Sequence, residues 1–263
     1  MPIYDKSTRE LFNDFIDNFT IPKQEGFFQT RKEIKDGGYF SRQEVLSWFS
    51  RKYPKIKKGT INAHLILIST NASSRIHHNA RPNRSIDLFF QIDGSNFRLY
   101  DKTKDPQPIY KEVVENLNGN KQSEEEDEEQ IESKEFAYEK DLRNYLSKNL
   151  NEIESGLKLY EEEEITGIEY PVGGRFVDIL AVDKNNDFVV IELKVSKGYD
   201  RAIGQLLRYI GWIEENLAES NQSVRGIVIA NNISEDLLLA TKRIPDIALY
   251  EYEMSFSLNK IKT

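Results

Sequence analysis

The hydrophobic pattern changes period along the chain, between the 3.6 of a helix and the 2 of a strand, and the changes mark out its elements. Upstream, SRQEVLSWFSRKY opens on Ser41, a residue suited to cap a helix, and sets Val45, Leu46, Trp48, Phe49 and Tyr53 largely on one helical face. After the turn PKIKKG, the stretch TINAHLILISTN predicts a second helix from near Thr60, with Ile61, Leu65 and Ile68 at the i, i+4, i+7 spacing of a buried stripe. A basic loop, SSRIHHNARPNRS, leads to two strand-like runs, IDLFFQI and FRLYD, joined by Asp93, Gly94, Ser95 and Asn96. The Asp-Gly step predicts a hairpin.

Downstream, EFAYEKDLRNYLSKNLNEIESGL reads as a helix whose apolar side is Leu142, Tyr145, Leu146, Leu150 and Ile153. Strand-like FVDILAV and FVVIELKV follow. The stretch YDRAIGQLLRYIGWIEENLAE predicts a long helix with Ala202, Ile203, Leu206, Leu207, Ile210, Ile213 and Leu217 on one broad stripe. VRGIVIA is a strand, SEDLLLATKR a helix, and IALYEYEMSFSL one or two more strands, which together predict an α/β domain with a mixed sheet flanked by helices.

Helix, turn, helix and hairpin is the order of a winged helix-turn-helix, with TINAHLILISTN in the place of the recognition helix. The stretch from about Glu10 to Tyr110 also resembles small helical domains found beside nuclease domains in restriction-type proteins. Between the halves, NGNKQSEEEDEEQIESK (Asn118 to Lys134) carries like charge with almost no apolar content, so it cannot support a core and reads as a flexible acidic linker. The expected organisation is a smaller winged-helix-like domain over 1–117, the linker over 118–134 and the α/β domain over 135–263.

Composition modifies this picture in three ways. The absence of cysteine excludes a disulfide framework, a thiol nucleophile and any zinc site built on thiolates. No apolar run approaches the roughly 18 residues that cross a bilayer, so the expectation is a soluble, cytoplasmic protein with no membrane partner. The formal net charge of -8 argues against a polyanionic partner until its distribution is considered. Met1 to Asn118 holds 19 Lys and Arg against 14 Asp and Glu, and from Arg31 to Arg84 the balance is 12 against 3. That end offers a surface able to hold phosphates.

The chemistry concentrates in the two central strands. Side chains alternate faces along a strand, so Glu192 and Lys194 of IELK share a face in a run otherwise fit for a core. Asp178 is the comparable oddity in the preceding strand, and DKNND, centred on Asn185, joins the two. A hairpin symmetric about Asn185 sets Asp178 opposite Glu192, Leu180 opposite Val190 and Val182 opposite Phe188. Two carboxylates that close repel unless a cation lies between them. Hard oxygen ligands in this number suit Mg²⁺, with Mn²⁺ as its substitute. Such an ion acidifies water and offsets charge on a phosphate. Lys194 could orient the water or neutralise the phosphate, and burial is expected to lower its pKa.

Asp178 followed by Glu192-Leu193-Lys194 resembles the D…ExK core of the PD-(D/E)XK nucleases, and GRFVDILAVDKNNDFVVIELK is similar to the catalytic domain of NucS/EndoMS endonucleases. The likeness spans roughly Glu139 to Ala230. It implies that Asp178, Glu192 and the Leu193 carbonyl bind metal, that Lys194 is the catalytic lysine, and that Glu154 on the preceding helix completes the site. Gln205 and Tyr209 resemble the Gln-x-x-x-Tyr element of RecB-like nucleases, and Arg175 matches the Gly-Arg position that could touch the scissile strand. The NucS-type N-terminal domain is β-rich, whereas here that end reads as helical, so mismatch specificity does not transfer with the likeness.

The basic half supplies candidate DNA contacts. Arg75, Arg81 and Arg84 in the loop, and Lys57 and Lys58 in the turn, suit phosphates. Thr60 and Asn62 lie off the apolar stripe, where Asn could pair with adenine. His64, His77 and His78 lack regular ligand spacing, and His64 is expected to be a partly buried helix residue. The leading expectation is a metal-dependent DNA endonuclease of restriction or defence, acting on duplex DNA as a homodimer, since cutting two strands needs two sites. A repair nuclease for mismatched or branched DNA, and a DNA-binding regulator with a silent nuclease fold, stay open as alternatives.

Overall fold

The computed structural model describes residues 3–19, 34, 37–80, 87–110, 139–194 and 199–253. The expected linker, Arg81 and Arg84 lie outside the described residues, as does the chain beyond 253.

In the N-terminal part, the expected helix, turn, helix and hairpin are present as α2 (Arg42–Lys52), α3 (Lys58–Leu67), β2 (Phe89–Gln91) and β3 (Asn96–Leu99). Ser41 caps α2 in a reciprocal box with Glu44. Two elements are additional to those the pattern predicts: α1 (Thr8–Asn18) and the short β1 (Tyr39–Ser41), which pairs with β3 to give the antiparallel order β1–β3–β2. Phe12, Phe15, Phe40, Phe49, Phe89 and Phe97 form the core, and the predicted stripe of Ile61, Leu65 and Ile68 packs into it.

The opposite side of α3 is buried as well. Ala63 and Leu67 pack into the core of the C-terminal part with Tyr170, Ile210 and Ile213, so every residue from Gly59 to Leu67 is buried. Thr60 and Asn62 are only 2% and 4% exposed. The Thr60 hydroxyl donates to Glu162 Oε2 at 2.7 Å, and Asn62 Oδ1 accepts from Arg42 at 3.1 Å. The expectation that these two residues read bases is therefore corrected: α3 is the seam between the two parts. An apolar helix without a charged face is stable in that setting.

The C-terminal part is a mixed sheet. β7 (Ile168–Val172), β8 (Arg175–Val182) and β9 (Phe188–Lys194) are antiparallel neighbours, and β10 (Val224–Ala230) and β11 (Ile247–Glu251) continue parallel from β9. The crossovers are α5 (Tyr199–Asn216) and α6 (Glu235–Thr241), and α4 spans 139–146. Short strands β4 (Lys158–Leu159), β5 (Glu161–Glu162) and β6 (Ile165–Thr166) lie between α4 and β7. The helix expected over 135–157 is shorter than its pattern. Within the described residues it stops at 146, and a single 3-10 turn at Leu150–Glu152 keeps Leu150 on the core. Tyr145 and Leu207, expected on buried stripes, are exposed at 52% and 41%.

Gly167 carries a local backbone constraint. Its N–H donates to the Tyr160 carbonyl and its carbonyl accepts from Leu180, both at 2.7 Å, and a Cβ there would lie 2.0 Å from the Leu180 oxygen. Gly167→Ala is expected to destabilise the fold by about 3 kcal/mol and to lower the thermal midpoint by roughly 10 °C. Gly204, exposed within α5 with open space at its Cβ position, predicts the reverse. There, Ala is expected to add about 0.5–1 kcal/mol. Thermal unfolding of the two variants side by side checks both signs.

Candidate active site

The β8–β9 hairpin has the register predicted from symmetry about Asn185. Val182 pairs with Phe188, Leu180 with Val190 and Ile179 with Ile191. Asp183 holds the turn, its Oδ1 accepting the N–H groups of Asn185 and Asp187 at 2.8 and 3.1 Å. Asp178 and Glu192 are the next positions in that register. There the ladder gives way to a side-chain contact, as the Leu193 N–H donates to Asp178 Oδ2 at 2.9 Å.

Glu192 is 1% exposed, and its Oε1 accepts from Lys194 Nζ at 2.6 Å. Its Oε2 is buried with no hydrogen-bond partner. Burial, reinforced by the neighbouring Asp178 charge, pushes the Glu192 carboxyl up to about 8, and burial raises Asp178 as well. Burial acts to lower Lys194, but Glu192 and Asp178 outweigh it and its pKa is raised. The expected lowering is therefore corrected: Lys194 stays a cation, suited to neutralising a phosphate rather than to taking a proton.

Gln205 and Tyr209 meet as the spacing predicts, with Gln205 Nε2 donating to the Tyr209 hydroxyl at 2.9 Å. Tyr209 is raised by burial and then by the Glu192 charge, which places it beside the acidic pair; Asp178 and Arg175 act on it too. Glu154 does not join them. Arg225, its partner at 3.0 and 2.6 Å, lies opposite Val189 in the β9–β10 ladder, on the face turned away from Glu192. The Tyr250 hydroxyl also donates to Glu154 at 3.1 Å. Early termination of α4 leaves this residue in a loop beyond the helix that serves the site.

The residues α4 does bring are Glu139 and Arg143. Glu139 acts electrostatically on both Glu192 and Lys194. Arg143, 5% exposed, places Nη1 3.5 Å from Asp178 Oδ1 and Nη2 2.6 Å from Glu169 Oε1. Glu169 stands at the β7 position facing Asp178, between the pairs Ile168–Ile179 and Tyr170–Val177, so three acidic residues lie in a row across the sheet. Its φ of 47° marks local strain. His77 holds its other oxygen, with Nε2 at 3.2 Å. Sequence reasoning missed this row because Glu169 sits in IEYPV, where no alternation announces a strand; the i, i+4 spacing of Glu139 and Arg143 was the legible signal.

The expected phosphate contacts divide. Arg75 is fully buried, its Nε donating to the Leu67 carbonyl at 2.7 Å and its head paired with Asp87, so it is an internal strut rather than a DNA contact. Lys57 is taken up at the seam by Glu219 at 3.1 Å and the Ala218 carbonyl. Lys58 and Arg175 are exposed. His64, expected to be partly buried, is fully buried, with its Nε2 2.9 Å from Glu163 across the seam.

His78 is also buried, and its Nδ1 accepts the Thr166 N–H. Burial first, then the neighbouring His77, pushes His78 from an ordinary 6.5 down to about 3. Between those values the unfolded chain takes up a proton that the folded chain refuses, so its contribution to stability is present above 6.5 and is lost as pH falls toward 3. The loss is about 2 kcal/mol by roughly pH 5. Denaturant unfolding against pH is expected to show this acid limb, flattened in His78→Gln.

A divalent cation fits this site on its own terms, because the half-buried Asp178 and the buried Glu192 occupy facing positions when the hairpin register is extended by one pair, and Glu192 Oε2 is buried without a hydrogen-bond partner. A mixed sheet with the acidic pair and the lysine at the end of its central hairpin, beside a Gln–Tyr helix, is the arrangement that the resemblance to PD-(D/E)XK nucleases leads one to expect. The family comparisons agree. Residues 138–246 match the model described as the Endonuclease NucS C-terminal domain, and residues 28–99 match a domain of unknown function, DUF7669. Endonuclease NucS of Pyrococcus abyssi is 35% identical over 98 residues, which are 37% of this chain and 35% of that protein. That of Sulfolobus acidocaldarius is 36% identical over 106 residues, 40% and 38% of the two chains. The crystal structure of a repair endonuclease from Pyrococcus abyssi aligns over 51% of this chain and 50% of that one, at 27% identity and a TM-score of 0.36. The C-terminal part of the chain is a NucS-like nuclease domain. The alignment spans little more than a third of the length of either named NucS relative.

Proposed function

We propose that the protein is a divalent-cation-dependent DNA endonuclease that selects its substrate by structure, as a repair enzyme does. The observation that carries this reading is the Asp178–Glu192 pair with its partnerless buried oxygen and neighbouring Lys194, in a NucS-like domain. Asp178 and Glu192, with the Leu193 carbonyl and Glu139 close by, would hold Mg²⁺ or Mn²⁺; when bound, the ion acidifies water and offsets charge on the phosphate. Lys194 supplies a fixed positive charge beside the scissile phosphate. The Gln205–Tyr209 pair walls the same space. Cutting both strands would take two copies of the chain.

Restriction, the leading expectation from sequence, takes second place. It rested on a specificity domain tethered to a nuclease core, and the two residues of α3 expected to read bases, Thr60 and Asn62, are buried and bonded within the protein. The named relatives are NucS endonucleases. Among the described residues no helix is long and apolar enough to cross a membrane.

Incubating the protein and Mg²⁺ with matched, mismatched, flapped and methylated duplexes, and sequencing the ends, tests the reading. Cutting of a mismatched or flapped duplex at least about tenfold faster than the matched one is expected. Discrete ends at one sequence in matched DNA would favour restriction, and no cutting of any duplex would overturn the nuclease reading.

A further inference from the structure

A cleft of about 230 Å³ lies between the N-terminal part and the turn from β7 to β8, with Arg42, Ser73, Ser74, Gly173, Gly174 and Arg175 in its walls and, among the described residues, no acidic side chain lining it. The partners of Arg42 are neutral: it donates to Asn62 Oδ1 at 3.1 Å and the Gly94 carbonyl at 3.2 Å, and it lies over the Phe97 ring at 5.3 Å. Among the described residues it has no ion pair, and burial lowers its pKa. Ser74 is 1% exposed, and its hydroxyl is buried without a hydrogen-bond partner. A half-buried cation lacking a counter-ion and a buried hydroxyl lacking a partner both carry a desolvation penalty. One anion with several oxygens relieves both, and Arg175 faces the same space from the nuclease side.

We propose that this cleft holds a backbone phosphate of the DNA strand that runs on from the active site, an inference that rests on the nuclease reading above. Arg175 precedes Asp178 by three residues on β8. That is about 10 Å along the strand, or roughly three nucleotides of duplex rise. The N-terminal part then grips DNA through the start of α2 and the 3-10 turn at Ser73–His77, and α3 supports them from behind. Because a phosphate carries no sequence information, the contact adds affinity for DNA without choosing bases.

Affinity for a short labelled duplex, measured in EDTA so that the DNA stays whole and repeated over a series of salt concentrations, tests the assignment. Arg42→Gln is expected to weaken binding roughly tenfold on any sequence and to lower the slope of log affinity against log salt by about 0.9. Ser74→Ala removes a buried hydroxyl that makes no hydrogen bond in the protein, so the fold is expected to stay intact, and a loss of roughly tenfold is expected from one hydrogen bond to a charged oxygen. Binding within about twofold of wild type in both variants, with an unchanged salt slope, overturns the inference. So does tight binding of inorganic phosphate alone with DNA affinity indifferent to both changes, which would assign the cleft to a free anion. Cleavage by wild type with Mg²⁺ of the same duplex and of its mismatched, flapped and methylated forms is read in parallel. Cutting with indifferent variants removes only the cleft assignment, whereas weakened binding without any cutting removes the nuclease reading and supports the cleft.

Discussion

Asp178→Asn is expected to lower the rate of DNA cleavage at least about a thousand-fold while the protein folds as well as wild type or better. The substitution keeps an oxygen that can accept the Leu193 N–H and removes a charge that raises Glu192. A metal-assisted step draws several kcal/mol from the ligand set, and each 1.36 kcal/mol is tenfold in rate. The fold loses nothing comparable, because relieving repulsion between buried like charges opposes the loss of the Arg143 contact. Single-turnover cleavage and thermal unfolding on one preparation read both effects. Activity within tenfold of wild type, or a collapsed fold, would contradict the assignment of Asp178.

Arg143→Leu should produce the opposite combination, with stability lost first. Arg143 is the buried cation that lies against both Glu169 and Asp178, and its removal leaves Glu169 with His77 alone. Breaking a buried pair from one side destabilises by roughly 3–5 kcal/mol, since the remaining charge is stranded. Denaturant unfolding should show that loss. Refolded protein assayed at saturating Mg²⁺ should cut more slowly, because Asp178 has lost one of the two groups that orient it. A second substitution, Glu169→Gln, is expected to recover part of the stability by removing the stranded charge. Additive effects of the two changes would argue that they do not share a network.

The hairpin that builds the site was legible because short-range chemistry fixes it. A polar turn centred on Asn185 sets the register, and the burial of two strands made Asp178 and Glu192 conspicuous. Gln205 and Tyr209 followed from helical spacing. The remainder depends on contacts between segments far apart in sequence, which periodicity does not encode. Glu154 sits on a stretch with helical pattern but beyond the helix, and Glu169 is placed by pairing with β8 across a segment containing Pro171. Thr60 and Asn62 were misread because a stripe identifies one buried face and is silent about the other. The missing signal was compositional: from Gly59 to Leu67 no Lys or Arg occurs, which suits a seam better than a phosphate-facing helix. The basic excess of this region was likewise only partly available, since Arg75 is buried against Asp87 and Lys57 is paired with Glu219 at the surface.

The central claim is that Asp178, Glu192 and Lys194 form a cation-dependent site that cuts DNA. Its most direct test is the initial rate of cleavage of a flapped duplex as Mg²⁺ is titrated from excess EDTA, for wild type and Glu192→Gln together. The wild type is expected to be silent in EDTA and to rise to a plateau with Mg²⁺, while the variant stays at background throughout. Cleavage that persists in EDTA, or a variant that follows the wild-type curve, would contradict the claim.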